Sequence, residues 1–205
     1  MTHCPIAQGL RSAAVLALAL VMSACSLPTL APDAPPAWSG ETQTLKRRLT
    51  MVPLDRSSAE QTLLSVTRLS PTGLQTVVTT PTGQRLMTLV RDEEGPRYTQ
   101  TLMAAPPFPA AWFIQRLEWS LRPAETLAKA FEGSDWRLEV EHFEHGPVRR
   151  IYQGEALRAR LDTFEAAGAV TRQVLTDFQF GYRLTITPFG TASDDRRPDA
   201  PQEEG

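Results

Sequence analysis

Apolar and polar residues alternate from Thr44 onward, the pattern expected of β-strands with one buried face. Leu45, Leu49 and Met51 would share one face of the first strand. Further strands are predicted over residues 62–69, 74–80, 85–91 and 97–102. Short turn sequences rich in Pro, Gly, Thr and Asp separate these strands. Strands with this spacing predict an antiparallel meander rather than βαβ units.

A cluster of prolines over residues 106–109 ends the meander, and two helices are predicted after it. The first covers residues 110–120, with Phe113, Ile114 and Leu117 on one apolar stripe. The second begins at Pro123, since proline suits the first turn of a helix. Its apolar face carries Leu127, Ala130 and Phe131. A helical hairpin is therefore inserted between two sets of strands.

Alternation returns at Trp136, Leu138 and Val140 and continues to residue 186. Its longest run is predicted as one strand on an interior wall and consists of Phe178, Phe180, Tyr182, Leu184 and Ile186. The predicted fold is mainly β (α+β). It is a curved antiparallel sheet of about ten strands. The inserted helical hairpin would cover its concave, apolar face.

Three basic residues, Lys46, Arg47 and Arg48, interrupt the first strand. They would form either a basic rim that meets anionic lipid headgroups or a partner, or simply a solvated strand face. The whole chain carries a formal net charge of -2. This balance gives no basic excess for binding nucleic acid.

The N-terminal residues have the anatomy of a secretory signal, with a short apolar run that is too short to span a membrane. The run ends at Leu20–Ser26, which resembles the lipobox of bacterial lipoproteins. The resemblance implies cleavage before Cys25 and its acylation, with palmitate as an acyl chain. Ser26 is then permissive for sorting to the outer membrane, facing the periplasm. The alternative is an ordinary cleaved signal.

The sequence divides into four predicted regions: a signal peptide over residues 1–24, a proline-rich linker over 25–42, a sheet domain over 43–190 and a disordered polar tail over 191–205. Cys25 is the only cysteine after the signal, so no intramolecular disulfide can form. The protein is expected to be a monomer that contacts the membrane through its N-terminal lipid.

Catalytic patterns are sparse, and an enzyme is the least favoured class. His142 and His145 lie in a segment that is rich in Glu, but their spacing matches no helical zinc motif. No nucleophile-elbow serine and no glycine-rich phosphate loop is present. We therefore expect no catalytic residues, no metal and no cofactor.

Incomplete cover of the concave face would leave an apolar cavity able to hold an acyl chain. The candidate wall residues are Trp112, Phe113, Trp119, Phe178, Phe180 and Tyr182. The alternative is that these aromatic side chains fill a closed core.

Four segments in order resemble a family of proteobacterial lipoproteins catalogued as domain of unknown function 3261: Gly83–Leu89, Trp119–Pro123, Trp136–Leu138 and Gly181–Ile186. The resemblance implies a half-open β-barrel similar to LolA and LolB, the carriers of outer-membrane lipoproteins. Residues 43–190 would then form a half-barrel domain of this kind. It also implies that the protein binds or transfers a lipid or lipoprotein, in association with aryl-polyene or related lipid biosynthesis. The alternative function is a structural or scaffolding lipoprotein with no ligand.

Overall fold

The structure is a computed structural model that describes residues 30–35, 38, 41–102, 106 and 108–190. The first five strands are β1 (Gln43–Pro53), β2 (Gln61–Ser70), β3 (Gly73–Thr79), β4 (Arg85–Asp92) and β5 (Gly95–Thr101). Two helices follow, α1 (Ala110–Leu121) and α2 (Ala124–Phe131). The last five strands are β6 (Trp136–Phe143), β7 (Gly146–Gln153), β8 (Ala156–Ala166), β9 (Ala169–Asp177) and β10 (Tyr182–Pro188).

All ten strands form one sheet in the order β5-β4-β3-β2-β1-β10-β9-β8-β7-β6. Each neighbouring pair is antiparallel, and β1 pairs with β10 at the centre. The two edge strands, β5 and β6, flank the helical insertion in the sequence and do not pair, so the sheet stays open. This arrangement confirms the predicted fold class.

Glycine is required at two of the hairpin turns. Gly73 and Gly146 have φ values of 143° and 129°, a region that other residues rarely adopt. A Cβ atom at Gly73 would collide with the carbonyl oxygen of Arg91, and one at Gly146 with that of Thr163. Gly73 ends the turn between β2 and β3, and Gly146 ends the turn between β6 and β7. Both turns lie at the same end of the sheet as the β4–β5 and β8–β9 turns.

Helix α1 lies in the middle of the hydrophobic core and packs into both of its clusters. Trp119 belongs to the cluster formed with α2 and with β6 to β9. Ile114 and Leu117 belong to the cluster formed with β2, β3 and β4. The sequence predicts this helix as amphipathic, but in the structure its polar side chains Gln115 and Arg116 are buried as well.

Buried ion pairs hold the polar side chains of α1 in place. The Arg116 guanidinium donates from Nε to Asp177 Oδ2 at 2.8 Å, and Asp177 is fully buried. Glu118 accepts from Arg91 at 2.8 Å and from Arg122 at 2.9 Å. A buried charge without a partner costs several kcal/mol. These pairs therefore favour the rotation of α1 about its axis that turns its charged side chains towards their partners.

The turn between β9 and β10 corrects one prediction. Phe178 and Phe180 do not extend β10, which begins at Tyr182. Asp177 Oδ1 accepts the backbone N–H groups of residues 179 and 180 at 2.9 Å, which bends the chain into a turn. Gly181 completes that turn with φ of 68°. Phe178 and Phe180 fit the alternating pattern of β10, but they lie in the turn that precedes this strand.

Part of the predicted linker packs against the folded domain. We call residues 30–35 and 38 the strap. Its Ala31 and Ala34 are 5% and 3% exposed. Its backbone carbonyl groups accept hydrogen bonds from buried side chains: Ala31 from Gln115, Ala34 from Arg91 and Pro35 from Arg122. An extended proline-rich segment leaves its carbonyl groups free for such bonds, so this part of the segment is not a detached spacer.

The signal peptide, Cys25 and the C-terminal tail lie outside the described residues, and their assignments stay predictions. Among the described residues, no helix is both long and apolar enough to cross a membrane.

We expect Asp177→Ala to lower the free energy of unfolding by about 3–5 kcal/mol, because it leaves the Arg116 guanidinium buried without its anionic partner. Glu141→Ala is the matched control. It removes a carboxylate that pairs with Arg150 at 2.7 Å on the surface and should cost at most about 1 kcal/mol. Urea denaturation followed by tryptophan fluorescence measures both. Equal losses would contradict the structural role of the buried pair.

Candidate functional site

An apolar cavity of about 160 Å³ lies between α1 and the central strands of the sheet. Its sheet side is formed by alternate residues of neighbouring strands: Leu49, Met51, Leu63, Met87, Leu184 and Ile186. Its helix side is formed by Trp112, Phe113, Arg116 and Leu117. Gln61, which also lines the cavity, is exposed and marks where it reaches the surface.

The size of the cavity limits what it can hold as it stands. A buried apolar cavity of about 150 Å³ in another protein stays dry and binds benzene. Pockets for larger ligands measure about 300–1,000 Å³. The present cavity therefore has room for a short hydrocarbon segment. Met51 and Met87 line it, and their flexible side chains can change rotamer to admit more.

Aromatic side chains close the cavity near the start of α1. The Phe108 ring stacks on Trp112 with centroids 4.1 Å apart, and Phe180 packs edge-on against Trp112 at 4.7 Å. The Tyr98 hydroxyl donates to the Phe108 carbonyl oxygen at 2.8 Å. The indole N–H of Trp112 is buried and has no hydrogen-bond acceptor among the described residues.

The guanidinium of Arg116, which lines the cavity, already has three hydrogen-bond acceptors. Besides Asp177, it donates to Gln115 Oε1 at 2.7 Å and Gln179 Oε1 at 3.3 Å. Its guanidinium also lies over the rings of Trp112 and Trp119, at 4.7 and 4.4 Å. Arg116 therefore contributes packing to the cavity wall rather than a free charge.

The sequence-based wall residues divide into two groups. Trp112, Phe113 and Tyr182 line the cavity. Phe180 lies behind Trp112, and Trp119 is 1% exposed in the other core cluster. Phe178 is 47% exposed and lies at the surface. The geometry therefore brings together three of the six residues at the cavity.

Sequence reasoning missed the strand residues of the wall. Leu49 and Met51 were assigned to one face of β1, and Leu63 and Met87 lie on the equivalent faces of β2 and β4. The alternation that placed them in strands was the available signal. It does not show which faces lie opposite α1, because that depends on strand order and register.

The comparison with known families can now be made. The sequence signature of one family, described as "Protein of unknown function (DUF3261)", matches residues 48–190. The chain belongs to this DUF3261 family. The match runs from β1 to the residues just after β10, so it includes both helices and every strand that lines the cavity.

Two solved structures are similar to the DUF3261 chain at low identity. A LolA-superfamily protein from Nitrosomonas europaea is 10% identical, with 75% of this chain and 86% of that chain covered and a TM-score of 0.39. An outer-membrane lipoprotein-sorting protein domain from Vibrio parahaemolyticus is 8% identical, with 77% and 90% covered and a TM-score of 0.33. At these TM-scores neither structure bears on the site. No curated protein matches the chain.

No group of three or more His, Cys, Asp or Glu side chains in the described part of the DUF3261 chain is arranged to hold a metal ion. The His145 ring instead lies against Phe143 and Phe164, with centroids 5.6 and 4.9 Å away.

The ionisation of buried groups around α1 reflects their surroundings. Burial raises the pKa of the Glu118 carboxyl, while the Arg91 and Arg122 guanidinium groups oppose this rise. Burial also raises the pKa of the Tyr182 hydroxyl, and the negative charge of Asp177 adds to the effect. Tyr182 lines the cavity, so its hydroxyl stays neutral there at physiological pH.

We expect Tyr182 to make the stability of the domain depend on alkaline pH. The phenol of Tyr182 has a higher pKa in the folded chain than in the unfolded chain, so its neutral form stabilises the fold. This contribution is complete below the unfolded pKa of about 10 and is lost as pH rises above that value. Tyr182→Phe should therefore flatten the fall in the urea midpoint between about pH 9 and pH 11. An unchanged slope would contradict the burial of the hydroxyl. Tyr152→Phe is the control.

Proposed function

We propose that the chain is an envelope lipoprotein whose half-barrel binds the hydrocarbon part of a lipidic ligand. The cavity between α1 and the sheet carries this proposal, because its wall is almost entirely apolar and it opens to the surface. Apolar cavities that stay dry bind apolar ligands, as burial of hydrocarbon contributes about 0.8 kcal/mol for each methylene. Binding without chemistry fits the sparse catalytic patterns of the sequence.

The location of the protein is the second part of the proposal. Cys25 would carry the lipid anchor and Ser26 would permit transfer to the outer membrane, with the half-barrel in the periplasm. The cavity would then meet its ligand at the membrane surface. A polyene lipid is the ligand that the family resemblance suggests, and a lipoprotein acyl chain is the alternative within the same class.

We expect Leu63→Trp to lower the affinity for cis-parinaric acid roughly tenfold or more, since the indole would occupy the cavity. Val66→Trp is the matched control, because Val66 lies on the opposite face of β2 and is 42% exposed. Both are made in the full chain carrying Cys25→Ala, which removes the acylation site. Fluorescence titration gives the affinities, and urea midpoints verify that both variants fold.

Equal affinities in the two variants would argue against the cavity as the ligand site. They would favour the second candidate, a structural lipoprotein of an envelope complex. The small volume of the cavity and the two packed clusters around α1 are the observations in its favour. In-cell crosslinking to a single dominant protein partner would then be the expected result.

We expect Cys25 to be acylated in cells. Metabolic labelling with an alkyne-tagged fatty acid should mark the wild-type chain and not the Cys25→Ala variant. Fractionation of the labelled membranes then tests the outer-membrane location. A wild-type chain without label would show that the N-terminus is an ordinary cleaved signal.

A further inference from the structure

Arg47 projects from the concave face of β1 among apolar side chains. Leu45, Leu49 and Met51 share that face, and the last two line the apolar cavity. The guanidinium reaches Ser120 Oγ and Gln173 Oε1, each at 3.5 Å, the outer limit of a hydrogen bond. Among the described residues, no carboxylate lies within ion-pair distance of it.

The carboxylates that are buried beside α1 already have arginine partners. Glu118 and Asp177 are the two buried acids there, and each is already paired with a buried arginine. The arginines of this region, buried or partly buried, are Arg47, Arg91, Arg116, Arg122 and Arg149. Burial lowers the pKa of Arg47 and of Arg149, because a low-dielectric surrounding disfavours a cation, and the negative charge of Glu125 opposes this shift at Arg149. Glu41 and Glu165 line a pocket together with Arg47. Neither lies within ion-pair distance of its guanidinium, so Arg47 has no carboxylate partner among the described residues.

The end of α1 does not require Arg47. Arg149 Nη1 donates to the carbonyl oxygens of Trp119 and Arg122 at 2.9 and 2.7 Å. Gln173 Nε2 donates to the Ser120 carbonyl oxygen at 3.1 Å. These bonds satisfy the carbonyl groups at the helix C-terminus, so the Arg47 guanidinium has no structural acceptor of comparable quality.

Arg47 also adjoins the cavity in space. It borders an open pocket of about 450 Å³ that Gln173 and Ile186 line as well. Ile186 lines the apolar cavity too, so one side chain forms a wall of both spaces. An amphiphile with its charged group at Arg47 would lie beside Ile186, which is 3% exposed. Its hydrocarbon chain would enter the cavity by displacing this side chain.

We propose that Arg47 binds the anionic head of an amphiphile, a carboxylate or a phosphate, whose hydrocarbon chain enters the apolar cavity. This inference rests on the proposed function, since it assumes that the cavity takes the chain. The guanidinium would exchange its two long contacts for a pair of charge-assisted hydrogen bonds to the head group. The preferred ligand is then an acidic lipid rather than a neutral one.

The test uses three ligands with the same hydrocarbon chain: palmitate, hexadecyl phosphate and hexadecanol. Each displaces cis-parinaric acid from the full chain carrying Cys25→Ala. We expect Arg47→Gln to weaken binding of the two anions roughly tenfold to a hundredfold and to leave hexadecanol unchanged. Arg47→Lys should lie between, because it keeps the charge and loses the forked geometry.

Arg48→Gln is the matched control. Arg48 is the next residue of β1, is exposed on the opposite face and lies over the Phe189 ring at 5.6 Å. This variant should bind all three ligands as the parent chain does. Urea midpoints of each variant separate a loss of binding from a loss of folding.

The outcomes distinguish this inference from the proposed function. If hexadecanol binds as tightly as the anions, or if Arg47→Gln weakens all three ligands equally, Arg47 does not bind a head group and the inference is wrong while the cavity assignment stands. If no ligand binds, the proposed function fails and the inference fails with it. Selective loss of palmitate binding identifies a carboxylate head, and selective loss of hexadecyl phosphate binding a phosphate head.

Discussion

The ion pair between Arg116 and Asp177 ties α1 to the sheet at a point from which water is excluded. Asp177 accepts from Arg116, from the backbone N–H groups of residues 179 and 180, and from the Tyr182 hydroxyl. A carboxylate with that many donors tolerates burial, whereas an unpaired one would not. The pair thus fixes both the position of the helix and the bend from β9 into β10.

The position of α1 explains why a cavity remains beside it. The ion pairs hold the helix towards β9 on one side and towards β4 and the strap on the other. Its apolar residues Trp112 and Leu117 then face β1 and β2 across a gap that Leu49 and Leu63 do not fill. The directional hydrogen bonds and ion pairs fix the distance between α1 and the sheet. The apolar side chains have no directional contacts of their own and do not pull the helix closer.

Alternation of apolar and polar residues predicts the strands. The prolines and the apolar stripes at helical spacing predict the inserted helices, and the family resemblance implies that the sheet stays half-open. The pattern gives a wrong prediction where a polar residue is buried, because a polar residue is assigned to the solvent-exposed face. Gln115, Arg116 and Glu118 would be placed on an exposed side of α1, yet all three are buried. Arg116 pairs with Asp177 and Glu118 with Arg91, and both partners are distant in sequence. The local ion pair of Glu118 with Arg122 would be expected equally on an exposed helix face.

The same limit applies to the candidate site. Trp112, Phe113 and Tyr182 could be proposed as cavity wall because large aromatic residues near an inserted helix are candidates for it. Arg47 could not be told from Arg48 by composition, although one lies on the concave face and the other on the convex face. Alternation along β1 puts Arg47 on the face of Leu49 and Arg48 on the other face, but the register of β1 with β2 and β10 is needed to show which strand faces adjoin it.

The strap packs against the domain although it lies outside the family signature. The family signature begins at residue 48, yet Ala31, Ala34 and Pro35 accept hydrogen bonds from side chains inside the domain. A fragment cut at the family boundary would lose these acceptors. An acylated Cys25 would be only five residues from Leu30, a span of at most about 17 Å. The half-barrel would then stay close to the bilayer that holds it, with little freedom to turn away.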